Sequence, residues 1–447
     1  MIILSTIWED VTFEKRESLQ GLEVADCTVI GAGLAGVLIA RELQSRGFSV
    51  VVLEADRVCS GATARTTAKI TSQHGLIYNR ISRQIGKTQA RLYYESNQKA
   101  IDRYEEIIKA YGIDCDFKRL PSYVYSRSNV YNLLQETLSA TNAGAKCRYT
   151  KDTSLPFGIR GALRFEDQAQ FHPLKFAKAL AKNLKIYEKT PVTRIEDGKV
   201  LTQSGEVRTQ YIVCATHYPI INIPGFYFLR QHQERSYALA LSSQTKLDGM
   251  YLGIDDGHSL RSFDGGIILG GEKHRTGKNT KGGCLCRLKD FASENFEGAE
   301  ILGSWSNQDC ITHDGLPFIG RYSRFSPRFF VATGFNKWGM SLSMVASELI
   351  ADMICGRKNE YEKLYTPARM NIRAGAGGFL LDAGSSAYHL ISGLVSKKER
   401  KCPHLGCRLQ KNPDENTWEC PCHGSGFDKT GQVKFSPAKK NIEKKQG

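Results

Sequence analysis

A strand, a glycine turn, a helix and a second strand, packed into about thirty residues, constrain this chain more than any other feature. Residues 26–30 (Asp-Cys-Thr-Val-Ile) read as a short apolar strand. Gly31-Ala32-Gly33-Leu34-Ala35-Gly36 is a tight turn, and residues 37–45 continue as a helix that Gly47 stops. Residues 48–53 are a β-branched strand ending at Glu54, 18 residues after the third glycine. Such a βαβ unit calls for a parallel sheet covered by helices, so the expected class is α/β with a Rossmann-like nucleotide-binding domain. Gly31 permits the turn, Gly33 lets the backbone approach a pyrophosphate, and Gly36 lets helix pack on strand. The helix N-terminus offers free N–H groups and a positive dipole to phosphates. Glu54 stands where it can accept hydrogen bonds from ribose hydroxyls.

The turn alone does not separate FAD from NAD. No second unit of this kind follows: Gly265-Gly266 and Gly270-Gly271 flank a strand but open no helix. A single nucleotide site near the start of the chain favours FAD. Further along, residues 88–111, 129–142 and 172–184 read as helices, with Pro173 at the start of the third. Residues 192–195, 211–215, 266–270 and 329–333 read as strands, and a helix is expected from Gly339 to about Cys355.

The chain has 447 residues, enough for several domains, and 24% are charged. No apolar run is long enough to cross a membrane. The first residues carry no basic leader or cleavage site, so a cytoplasmic protein is expected. The net charge of +15 is spread along the chain without an Arg/Lys block, so no nucleic-acid partner is expected. A basic face does suit an acidic electron-transfer partner. The 13 cysteines are odd in number and mostly scattered, against a disulfide scaffold.

The last stretch is the exception. Cys402-Pro-His404 and Cys407 are followed, after 12 residues, by Cys420-Pro-Cys422-His423. Two Cys/His pairs suit zinc, and equally a [2Fe–2S] cluster held by two thiolates and two imidazoles. The order C-x-H then C-x-x-H, with an extra cysteine in each loop, favours the cluster.

Both ends resemble known families. The first part resembles the FAD-dependent D-amino-acid oxidase, glycine oxidase and sarcosine oxidase family over about residues 24–368. The likeness is carried by the glycine turn, the small-residue loop from Ser60 to Thr67, the strand Tyr211–Ala215, the segment Asp314-Gly-Leu-Pro-Phe-Ile-Gly320, and Ala332-Thr-Gly-Phe-Asn-Lys-Trp-Gly-Met340. It implies a substrate domain of α+β type interleaved with the nucleotide domain. It also implies an FAD site made of the turn residues with Glu54, Ala55, Ala62, Thr63, Thr66, Thr67, Val192 on a strand, Ala215, Thr216, Gly334, Lys337, Trp338, Gly339 and Met340. Members that attach flavin covalently use a histidine near the small-residue loop; Arg65 stands there, so FAD is expected to be non-covalent.

The tail resembles the Rieske family, in the type with an extra cysteine per loop. The resemblance implies a small all-β module at 397–447, joined by a Gly-rich linker at 369–396. It assigns Cys402, His404, Cys420 and His423 as cluster ligands, Cys407 and Cys422 as a disulfide, and Ser425 as a donor to a cluster sulfur. Phe427 stands where high-potential members have Tyr. Little chain is left before Cys402 for the usual base strands, so the module is expected to lean on the flavin domain.

The two resemblances together imply a dehydrogenase. Flavin would oxidise a C–H bond beside nitrogen in a small amine or amino acid, and the cluster would relay electrons to a one-electron protein or quinone-like acceptor. The reverse is the alternative, a reductase fed through the cluster. His74, Lys337, Trp338 and Tyr237 are the candidate catalytic residues. Arg235 and Arg275 are candidates to grip a substrate carboxylate. Where the family often has a carboxylate-binding arginine, before Asp314, this chain has Gln308-Asp309, which leaves simple amines open.

Overall fold

A computed structural model describes residues 5–221, 223–369 and 400–442. The expected linker lies outside the described residues. Seven segments position the site: β1 (Gly21–Ile30), α1 (Leu34–Ser45), β2 (Val50–Leu53), β3 (Gly205–Cys214), β4 (Gln231–Ser242), β5 (Ile301–Thr312) and α2 (Gly339–Ile354).

An eight-stranded sheet runs Phe318–Arg321, Phe329–Thr333, β3, β1, β2, Lys185–Tyr187, with a hairpin of Arg194–Glu196 and Lys199–Leu201 off β3. β1 lies parallel to both β2 and β3, with Ile30 opposite Leu53 and Cys214. The alternation of Val29, Val52 and Val213 with their neighbours fills both faces; all three are fully buried. Each contributes about 1.5–3 kcal/mol of hydrophobic burial. α1 and α2 pack on each other over this sheet through Leu34, Val37, Leu38, Leu342, Val345 and Leu349. α1 begins at Leu34, earlier than the expected 37, because Gly33 itself occupies the N-cap position. Val192, expected on a strand, lies in the loop before Arg194–Glu196.

A nine-stranded sheet runs β5, β4, Gly266–Arg275, Ser259–Phe263, Met250–Gly253, Lys118–Ser126, Gly161–Gln170, Lys69–Ile70, with Cys147–Thr150 added beside Gly161–Gln170. β4 and β5 are antiparallel, and Glu234 lies directly opposite Asp309. The C-terminal module is a four-stranded antiparallel sheet of Gln410–Asn412, Thr417–Glu419, Gly426–Phe427 and Val433–Phe435. Its small core is Cys402, Cys407, Leu409, Cys420, Cys422, Phe427 and Ala438. Among the described residues, no helix is long and apolar enough to cross a membrane.

Candidate functional site: a dinucleotide cavity backed by a Cys/His cluster

The glycine turn separates fold from ligand. Gly31 has φ +100°, and a Cβ there would stand 2.7 Å from the Ala215 carbonyl oxygen. A Cβ on Gly36 would lie 1.9 Å from the Gly31 oxygen. Gly33 is different: its φ of −71° suits any residue, and a Cβ would meet only Thr63 Oγ1, at 3.5 Å. The protein has room for a side chain at Gly33, so the requirement for glycine comes from what approaches that backbone. Thr63 Oγ1 accepts from Leu34 N at 3.0 Å, pinning the small-residue loop, a 3₁₀ turn over Ala62–Arg65, to the start of α1. Glu54 does more than face a ribose. Its Oε2 accepts from Ala32 N at 2.7 Å and its Oε1 from Asp56 N at 2.9 Å, so it also staples the turn.

These residues line a cavity of about 1610 Å³. That exceeds the roughly 300–1,000 Å³ of an ordinary small-ligand pocket and suits a dinucleotide with room for a substrate. Every expected cofactor-binding residue lines it except Ala32 and Gly36. Ala32 is fully buried beneath the turn, and Gly36 faces the Gly31 carbonyl, so these two shape the cradle from behind. At the far end, residues 334–338 form a tight loop, with Gly334, Asn336 and Lys337 at positive φ. Asn336 holds this loop to β5: its N–H donates to the Cys310 carbonyl (3.0 Å), and its Oδ1 accepts from Thr312 N (2.8 Å). Such left-handed non-glycine residues cluster at functional sites. The loop delivers the N-terminus of α2, with its free N–H groups, to the cavity wall at Gly339 and Met340.

The four candidate catalytic residues all line the cavity, but they are not equivalent. His74 has both ring nitrogens engaged: Nδ1 with the Tyr93 hydroxyl (2.6 Å) and Nε2 with the Thr71 carbonyl (2.7 Å). Burial pushes its pKa down to about 3, against the pull of that carbonyl. It is therefore a neutral ring that stacks on Trp338, with centroids 4.5 Å apart. Lys337 pairs with Glu234, Nζ to Oε2 at 3.2 Å. Tyr237 turns its hydroxyl to the C-terminal module, where it accepts from Asn412 Nδ2 at 3.0 Å. That removes it from the free catalytic groups.

Sequence reasoning named Lys337 and Asp309 but not Glu234 or His217 beside them. Glu234 and Asp309 face each other across β4 and β5, and both line the cavity with Asn307 and His217. Burial works to raise Glu234, but His232 and Lys337 more than offset it and hold the carboxyl at about 2. Asp309 goes the other way: burial raises it, against Lys337 and His217. Lys69 is a second missed group. It donates to the Tyr251 carbonyl at 2.7 Å and to Ser259 Oγ at 2.5 Å, and burial, with Arg261 nearby, lowers it to about 7.

In the C-terminal module the Sγ atoms of Cys407, Cys420 and Cys422 lie within 4.8 Å of one another. Cys402 adds a fourth sulfur, hydrogen-bonded to Cys420 and to Ser425. The rings of His404 and His423 are 5.2 Å apart and perpendicular. Burial lowers both histidines, to about 4 and about 3, so both are neutral, as ligands must be. His423 Nδ1 is buried without a hydrogen-bond partner. A buried donor atom left open beside thiols fits a bound cluster, since unpaired buried nitrogen is costly. Cys407 and Cys422, the expected disulfide partners, are unbonded here, with Sγ atoms within 4.8 Å of each other.

The module is seated on the flavin-side domain by buried polar contacts. Arg235, fully buried, donates Nε to Glu415 Oε1 (2.7 Å), Nη1 to Gln308 Oε1 (2.9 Å) and Nη2 to Ser306 Oγ (2.9 Å). Glu419 lies 3.3 Å from the same Nε. Gln233 donates to the His423 carbonyl at 2.6 Å, and Gln308 to the Gly424 carbonyl at 2.8 Å. Asp414 caps the helix Cys284–Asn295 from the other domain, accepting from Gly283 N and Cys284 N at 2.9 and 3.1 Å. Arg275 reaches toward the Cys422 carbonyl, at 3.5 Å. Arg235 and Arg275, the candidates to grip a substrate carboxylate, thus contact the cluster module. The segment 433–440 of that module also forms part of the cavity wall.

The fold and the two sites define a class: a flavin-dependent oxidoreductase carrying its own iron–sulfur module. Comparison with known proteins makes this particular. Residues 26–353 match the FAD dependent oxidoreductase family, and residues 393–445 match the Rieske [2Fe-2S] domain. The chain belongs to that oxidoreductase family, with a C-terminal Rieske domain, and carries FAD and a [2Fe–2S] cluster. It is 34% identical to YhfW of Bacillus subtilis (strain 168), named as a Rieske 2Fe-2S iron-sulfur protein, over 98% of this chain and 97% of that one. It is 27% identical to gamma-glutamylputrescine oxidoreductase of Escherichia coli (strain K12), over 75% and 85% of the two chains. Glycine oxidase from Geobacillus kaustophilus shares the fold, with a TM-score of 0.66 at 19% identity, over 78% of this chain and 99% of the other. The zinc alternative for the tail falls with the Rieske match.

Proposed function

We propose that this protein is a dehydrogenase that oxidises a C–H bond beside nitrogen in a small amine or amino acid and passes the electrons, one at a time, to a protein or quinone-like acceptor. One observation carries this reading: β4 and β5 serve both sites at once. Gln233, Arg235 and Gln308 bind the cluster module, while their chain neighbours Glu234 and Asp309 face the cavity. The cavity and the cluster loops thus meet at a single strand pair, and Gln233 and Gln308 border both. Flavin supplies two-electron chemistry and a Rieske cluster one-electron chemistry, which is the reason to join them in one chain.

The chain's own residues have these roles. Gly31, Gly33, Leu34, Ala35 and Glu54 hold the dinucleotide, and Thr63 fixes the loop over it. The N-terminus of α2 and Lys337 place positive charge at the far end of the cavity. Neutral His74 positions Trp338. Residues 433–440 close the cavity against water. Arg65 stands where a covalent attachment would need histidine, so FAD binds non-covalently. Cys402, His404, Cys420 and His423 hold the cluster. His423 is buried against the flavin domain, whereas the His404 loop carries Leu405, 42% exposed, and this is the side an acceptor meets. Gamma-glutamylputrescine and glycine, named for two relatives, both have a C–H bond beside nitrogen.

The test is anaerobic absorbance of the holoenzyme titrated with amines and amino acids, with NADH, NADPH and reduced ferredoxin in parallel. Bleaching by an amine or amino acid supports the reading. Bleaching only by the reductants refutes it and assigns a reductase fed from outside.

A further inference from the structure

Resting on the dehydrogenase reading, we propose that the substrate is a cationic amine without an α-carboxylate, its ammonium held by Asp309 on the β4/β5 wall of the cavity. Two sets of observations converge on this.

The first concerns carboxylate recognition, which calls for a guanidinium fork. Arg235 is fully buried and spends its donors on Glu415, Gln308 and Ser306. Arg275 lies against the cluster loop at the Cys422 carbonyl. Three arginines line the cavity, and one of them, Arg65, belongs to the turn Ala62–Arg65 that packs on β5, where Trp305 Nε1 donates to the Arg65 carbonyl at 3.0 Å. Arg80 is packed against Gly315, Arg57 faces Glu188 at 4.0 Å, and Arg65 faces Phe435.

The second concerns the wall itself. Glu234 and Asp309 are direct cross-strand partners, and like charges directly opposite are destabilising unless a cation intervenes. Lys337 pairs directly with Glu234, at 3.2 Å, and acts on Asp309 only through its charge. Among the described residues, the hydrogen bonds to the Asp309 carboxylate come from Asn307 Nδ2, at 3.2 and 3.4 Å to its two oxygens. His217, beside Asp309 on the cavity lining, has a buried Nε2 with no hydrogen-bond partner. Burial raises Asp309 despite the nearby charges of Lys337 and His217, so a further cation beside it would be favourable. An ammonium beside it supplies that charge and leaves the Lys337–Glu234 pair intact. An α-carboxylate in the same place would meet two acids, and a lysine already paired with one of them in place of a guanidinium fork.

The probe is an isosteric pair that flavin cannot oxidise at the carbon beside the head group: tert-butylammonium and pivalate. Each is titrated into the FAD-loaded, cluster-loaded protein and binding is read from perturbation of the flavin spectrum. Tert-butylammonium is expected to bind about tenfold or more tightly than pivalate, and Asp309→Asn to weaken it by about the same factor. Tighter binding of pivalate, no perturbation by either, or an unchanged Asp309→Asn overturns the proposal. A matched substrate series (pyrrolidine with proline, putrescine with ornithine) separates it from the parent reading. Faster bleaching by the amine of a pair supports both. Bleaching by the amino acid alone overturns this proposal and leaves the dehydrogenase standing. No bleaching by any member overturns both.

Discussion

Arg235→Met takes away the guanidinium that lies between Glu415 and Glu419. The side chains of these acids are 7% and 1% exposed, so neither can recover hydration without movement. Breaking a buried ion pair by removing one partner costs about 3–5 kcal/mol, because the other charge is left uncompensated. At about 1.4 kcal/mol per decade, the docking equilibrium of the module shifts by roughly a hundred- to a few-thousand-fold. Gln308 and Ser306 lose their donor in the same step. Hydrogen exchange of the holoprotein reads this directly. Amides of Thr417–Glu419, and the Gly277 amide that donates to Glu419 at 2.8 Å, should exchange on the order of a hundred times faster, while amides of α1 are unchanged. Arg235→Lys keeps the charge but loses the fork and should fall between. Exchange within a factor of about two of wild type in Arg235→Met, with iron and flavin retained, would refute the latch, because a buried charge pair cannot be broken without a cost of this order.

Other expectations follow from the same geometry. Gly33→Ala should keep the melting temperature of the flavin-free protein but weaken FAD binding about tenfold or more, whereas Gly36→Ala, whose Cβ falls 1.9 Å from backbone oxygen, should lose both; flavin content and thermal unfolding distinguish them. Lys69 has a folded pKa lowered from 10.5 to about 7, so between those values only the unfolded chain holds the proton; stability in denaturant should rise from pH 7 to pH 9, and Lys69→Met should flatten that rise. Cys420→Ser or His423→Gln should abolish the iron–sulfur absorbance and the acid-labile sulfide while leaving flavin bound. Cys407 and Cys422 are expected to join when oxidised, and non-reducing mass spectrometry of a peptide digest should find the linked pair; two separately alkylated cysteines in the oxidised protein would contradict the pairing.

What the sequence made legible was local. The turn at Gly31 to Gly36, the strand to Glu54 and the cluster loops each bring their residues together within a few tens of positions, so spacing alone carries the chemistry. The contacts that join the two sites are not local. Arg235 and Glu415 are 180 residues apart, and nothing near Arg235 distinguishes an arginine that grips substrate from one that grips another domain. For Tyr237, too, the partner of its hydroxyl, Asn412, lies 175 residues away in the chain. Residues 231–237 (Gln-His-Gln-Glu-Arg-Ser-Tyr) are polar on both faces, which is unusual for a strand central to a fold, and that pattern was the available sign of a strand with a site on each side. The expected lean of the short module on the flavin domain did follow from counting strands before Cys402. The form of the seat, with Asp414 capping a helix of the other domain, required coordinates.

The most direct test of the account is anaerobic freeze-quench EPR of the holoprotein mixed with an amine that bleaches the flavin. The account predicts that the reduced Rieske signal grows as the flavin absorbance falls, toward one spin per chain, and that Arg235→Met slows this growth without slowing the bleaching. Full bleaching of flavin with the cluster left oxidised would contradict it.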